Sequence, residues 1–139
     1  MPVSSHSLKI QTHHEGELVD ITELVQNVVE NATSSDGIAF LFVPGSTAAL
    51  TTIEYEPGLA KDFPAALDRL VPKTISYEHE KTWRDGNGHS HLKAALLGPD
   101  LAVPFHDRKL SLGTWQQIVL VEFDVRPRER TVIAQLVEG

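Results

Sequence analysis

Apolar residues at Ile21, Leu24, Val25, Val28, Val29 and Ala32 keep the three- and four-residue spacing of one helix face. They follow Asp20-Ile-Thr-Glu23, which has the Asp-x-x-Glu form of a capping box, so a helix is predicted from there. Ile38-Ala-Phe-Leu-Phe-Val43 is an unbroken apolar run between Asp36-Gly37 and Pro44-Gly45, the pattern of a strand buried on both faces. Alternation predicts a strand at Ser7 to Thr12, Ala48 to Ile53 is expected as the partner strand of the Ile38 run across a turn at Pro44-Gly45-Ser46, and Leu101 to Pro104, Ile118 to Phe123 and Thr131 to Val137 read as further strands. A second helix is predicted over Lys61 to Leu70, with Pro64 in its first turn, and a short one over His91 to Leu97, ended by Gly98-Pro99. Strands outnumber helices without regular βαβ alternation, so residues 1–139 are expected to form a single α+β domain.

Composition narrows the function. The 139 residues carry a formal charge of −7, which disfavours a nucleic-acid partner. No apolar run reaches the roughly 18 residues of a membrane-spanning helix, and the start MPVSSHSLKI lacks the features of a secretory signal, so a cytoplasmic protein is expected. With no cysteine, a metal has to be held by His, Asp, Glu or oxygen.

Candidate chemistry centres on Tyr77 to Lys93. His89-Ser90-His91 on an extended chain would turn two imidazoles to one side. The turn formers Arg84-Asp-Gly-Asn-Gly88 can fold the chain back to bring His79 near. Three histidines with no fourth protein ligand form the pattern of an open zinc site. His6, His13, His14 and His106 read as surface or structural. Glu54 and Glu56, at strand spacing, can act as acid and base or as a solvated strand end. Ser46 and Thr47 follow a Pro-Gly turn where hydroxyls and amides can hold an anion, and Gly113-Thr-Trp-Gln116 can offer a stacking wall.

Six stretches in order, Ser46-Thr-Ala-Ala, Glu54 to Pro57, Leu70-Val-Pro72, His91-Leu-Lys-Ala94, Leu97-Gly-Pro99 and Gly113-Thr-Trp-Gln116, resemble the YjbQ family of secondary thiamine-phosphate synthases. The resemblance implies a small α+β domain with a mixed sheet and two to three helices, assembled as a homotrimer. It also implies a thiamine-phosphate synthase, a transferase joining a hydroxymethylpyrimidine diphosphate to a thiazole phosphate. His79 and His91 map onto a histidine-lined metal site, with Glu54 and Asp62 as the acidic positions. A family histidine is replaced by Gly45, and His89 is expected to make up the set, so that His79, His89 and His91 hold a divalent metal, zinc by preference. Lys93, Arg128 and Arg130 would neutralise phosphate, Ser46 and Thr47 would bind the substrate, and Trp83 or Trp115 would stack on a ring. A non-catalytic trimer binding a metal or small ligand, and a zinc-dependent hydrolase, are the competing readings.

Overall fold

The computed structural model describes residues 1–139 as one α+β domain of eight strands and four helices. In chain order these are β1 (Val3–Gln11), β2 (Leu18–Asp20), α1 (Thr22–Glu30), β3 (Gly37–Phe42), β4 (Ala48–Ile53), α2 (Pro57–Leu70), α3 (Glu78–Thr82), α4 (Gly88–Leu97), β5 (Asp100–His106), β6 (Lys109–Leu110), β7 (Gln117–Glu122) and β8 (Glu129–Glu138). The expected mixed sheet is corrected: there are two sheets, ordered β1-β8-β3-β5-β6 and β2-β7-β4, and every pairing is antiparallel. The helix count rises to four because α3 is too short to show a periodicity. No helix is long and apolar enough to cross a membrane.

The three-stranded sheet lies in the middle of the fold, which is why β7 is apolar at successive positions. Ile118 and Leu120 join the core formed with α1 and the five-stranded sheet. Val119 and Val121 turn the other way, toward Leu67 of α2 and Ala94 of α4. The run Ile38 to Val43 is expected to be buried on both faces, but only one face of it is. Ala39 and Leu41 are fully buried, while Ile38 remains 45% exposed and Phe42 37%. By strand alternation, Phe40, Ile133 and Val137 share that outer face, which nothing in this chain covers.

Local polar groups set the helix ends. Asp20 does not form the expected capping box; its Oδ1 accepts from the Thr22 backbone N–H and hydroxyl at 3.0 and 2.6 Å, fixing the turn into α1. Glu56 caps α2 by accepting from the N–H groups of Gly58 and Leu59, with Pro57 following at the first helical position. This start is earlier than expected and puts Pro64 inside the helix.

Candidate functional site

The segment 84–88 folds back on α3 because its backbone turns left-handed at Arg84 (φ 55) and Gly86 (φ 72). The turn points Asp85 and Asn87 at α3, where His79 Nε2 lies 3.1 Å from Asp85 Oδ1 and 3.0 Å from Asn87 Oδ1. Asn87 is buried, and its Nδ2 faces Asp124 Oδ1 at 3.5 Å. If the amide is turned end for end, its nitrogen donates to His79 Nε2 at 3.0 Å and Asp85 Oδ1 at 2.8 Å. The turned orientation satisfies both ends of the amide, whereas the other sets its oxygen against two acceptors.

The expected extended His-x-His is corrected, because both residues sit in α4. Positions two apart on a helix point to nearly opposite sides. His91 faces α3, with its ring centroid 4.6 Å from that of His79 and the planes at 50°. His89 points the other way into the interior, where its Nε2 lies 2.7 Å from Glu15 Oε1. Lys93, one turn after His89, is likewise buried and paired with Asp68, far from the role of free phosphate ligand expected of it. His79, Glu80 and Asp85 present donor atoms within 4.8 Å of one another, and His89 is not among them. Glu80 also accepts from the Gly88 N–H at 2.8 Å, which joins α3 to the start of α4.

A cleft of about 520 Å³ opens beside this cluster, lined by Gly45, Ser46, Thr47, Asp85, Asn87, His91 and the segment 128–131. Its floor is a chain of buried bonds. Arg130 donates through Nε and Nη2 to the two oxygens of Glu122 at 2.9 and 2.5 Å, and through Nη2 to Thr47 Oγ1 at 2.8 Å. Thr47 donates to Asp124 Oδ2 at 3.1 Å, which also accepts from Arg128 Nε and Nη2 at 2.9 and 2.5 Å. Thr12 donates to Glu122 at 2.7 Å. Burial pushes the Asp124 carboxyl up, but bonds from the Val125 N–H, Arg128 and Thr47 outweigh it and hold the group below the usual carboxylate range. At Glu15, burial is likewise outweighed, by Lys73 and His89.

Of the residues expected at the site, the cleft unites Ser46, Thr47, His91, Arg128 and Arg130, with His79 alongside. It does not include Glu54, Asp62 or Trp115. Glu54 lies just beyond the far end of β4, roughly 20 Å of extended chain from Ala48. Asp62 is exposed on α2 and Trp115 is 72% exposed in the loop before β7. Trp83, at the end of α3, is also mostly exposed. Asp85 and Asn87 are the additions; their only sequence signal is a carboxylate and an amide two apart between the histidines.

A family model described as "UPF0047 protein YjbQ-like" matches residues 6–139. A UPF0047 protein of Archaeoglobus fulgidus is 41% identical over 128 residues, covering 92% of this chain and 97% of its own. The YugU protein of Bacillus subtilis is 34% identical over 127 residues, covering 90% and 92%. Among solved structures, a YbjQ-like protein from Sulfolobus solfataricus superposes with a TM-score of 0.94 at 35% identity, covering 99% of both chains. A yjbq/upf0047 family protein from Clostridium acetobutylicum gives 0.82 at 36% identity, covering 96% of this chain and 99% of its own.

Proposed function

The chain belongs to the UPF0047 YjbQ-like family, and from that premise we propose that it is a metal-dependent enzyme acting on small phosphorylated substrates in the cleft, with thiamine-phosphate synthesis as its reaction. One observation carries the reading: donor atoms of His79, Glu80 and Asp85 lie within 4.8 Å of one another beside a polar cleft floored by two arginines. The nitrogen and oxygen donors of His79, Glu80 and Asp85, with His91 beside them, suit a first-row divalent ion such as zinc. Such an ion would neutralise negative charge on a phosphate or diphosphate.

The chain's own residues do the positioning. In the proposed reaction a thiazole nitrogen forms a bond to the pyrimidine methylene carbon as the bond from that carbon to pyrophosphate breaks. The leaving group takes the bonding pair, so charge stabilisation and alignment matter more than proton transfer. Arg128 and Arg130 supply fixed positive charge, and the exposed Ser46 hydroxyl reaches the same space. Glu54 and Asp62 have no part in this scheme. The proposal also has the chain assemble as a homotrimer, supported by the uncovered outer face around Ile38 and Phe42.

The test is turnover. Protein reconstituted with zinc, given the pyrimidine diphosphate and the thiazole phosphate, should form thiamine phosphate above background, and His79→Ala and Asp85→Ala should each lose bound zinc and activity together. No product above background removes the synthase reading. Stoichiometric zinc without turnover would instead favour a non-catalytic metal-binding role.

A further inference from the structure

We infer that Arg130 Nη1 and the open position at Gly45 form an oxyanion subsite, continuous with an alanine-lined alcove that selects ligands carrying a compact apolar group.

Arg130 is nearly buried, its side chain 9% exposed. Two of its three nitrogens are committed, Nε to Glu122 and Nη2 to Glu122 and Thr47. Nη1 makes no hydrogen bond within the protein and faces the cleft beside Gly45, where a Cβ would stand 3.0 Å from it. Apart from Gly45 and its chain neighbours Pro44 and Ser46, no other atom would come within 4 Å of that Cβ, so the space in front of Nη1 is open. The Glu122 carboxylate holds the guanidinium plane fixed, so Nη1 can donate to an incoming oxyanion with little reorganisation.

The alcove begins at the same place. Gly45, Ser46 and His91 line both the polar cleft and a second hollow of about 200 Å³, closed by Ala48, Ala94, Ala95 and Pro99. Its far walls are small and apolar. A ligand whose charged oxygen meets Nη1 would therefore turn its non-polar part into this alcove, and any side chain at position 45 would stand between the two. A bare phosphate would use only half of the site. The fitting class is a phosphate or carboxylate with an apolar substituent of a few carbons.

The inference uses the cleft of the proposed enzyme but depends on neither metal nor turnover. Calorimetric titrations would be run with and without zinc, using inorganic phosphate, methyl phosphate and propyl phosphate, with acetate and butyrate as the carboxylate arm. Affinity is expected to rise about fourfold per added methylene, the equivalent of about 0.8 kcal/mol, so that propyl phosphate binds at least about tenfold tighter than inorganic phosphate. Ala95 is exposed on α4, so Ala95→Leu should fold normally, keep parental phosphate binding and lose the preference for the propyl group. Gly45→Ala should weaken every oxyanion. Butyrate binding in place of propyl phosphate would assign the subsite to carboxylates. Absence of oxyanion binding, no gain with chain length, or a gain that survives Ala95→Leu would overturn the inference; zinc uptake and thiamine-phosphate formation are measured separately, so a lost chain-length preference alone leaves the proposed function standing.

Discussion

Nε2 of His89 lies 2.7 Å from Oε1 of Glu15, and this contact ties the loop between β1 and β2 to the helix that carries His91. His89→Ala leaves the Glu15 carboxylate short of a partner and opens a void under α4. It is expected to destabilise the fold by about 2 kcal/mol, read as a lowered denaturation midpoint, while stoichiometric zinc binding at 25 °C is retained. Loss of zinc affinity in a variant that remains folded would return His89 to the metal site.

Acid should unfold the chain through Glu15 and Asp124. Both titrate below their ordinary values of 4.5 and 3.8 when folded. The unfolded chain therefore takes up protons first as the pH falls, and the stabilisation these groups give is present above their unfolded values and lost as pH drops through the lower folded ones. Melting temperatures are expected to hold steady near neutrality and to fall below about pH 4.5. Glu15→Gln should flatten part of that fall; an unchanged slope would mean that the Glu15 contacts contribute nothing in solution.

Arg130→Met removes the only cation bonded to Glu122, which is completely buried. An uncompensated buried carboxylate costs about 3 to 5 kcal/mol. Replacing both residues, Arg130→Met with Glu122→Leu, should recover much of that loss without restoring any anion binding. Chemical denaturation of the single and double variants measures the difference. Equal stability of Arg130→Met and the parent would show that the pair is not formed.

The outer face of the five-stranded sheet gives the assembly prediction. Ile38 is half-exposed in the isolated chain, so Ile38→Asp should leave the monomer folded but place a charge in the contact between copies. Sedimentation is expected to show a trimer for the parent and a monomer for the variant. A monomeric parent would remove the trimer from the proposal.

The sequence made the helices and strands with strong apolar periodicity legible, and β4 falls on its expected bounds, Ala48–Ile53, although it pairs with β7 in the other sheet rather than with β3. The arrangement of strands was less so. Ile38 to Val43 and Ile118 to Val121 are both unbroken apolar runs, yet only the second lies between two packed layers. In the site, His79 and His91 were found by type and do meet, but His89 was wrongly grouped with them, because two residues apart means one side on a strand and opposite sides on a helix. Glycine at position 88 gave no hint that it opens a helix. Asp85 and Asn87 read as turn formers, and they are; the same left-handed backbone that makes the turn aims their side chains at His79. Glu56 read, with Glu54, as either an acid–base pair or a solvated strand end and instead caps α2, a local role that is visible only once the helix start is known.

The order β1-β8-β3 has a consequence for how this chain is made. Strand β8 follows every other element, yet it is the strand through which β1 and β3 are joined, with Ile10 opposite Arg130 and Leu41 opposite Ala134. A nascent chain can shape α1 and the β2-β7-β4 layer earlier, but β1 waits with its backbone unpaired until β8 emerges. Such non-local pairing slows folding and leaves an open strand edge in the meantime. The Glu122–Arg130 pair closes in the same late event, so the cleft is completed only when the sheet is.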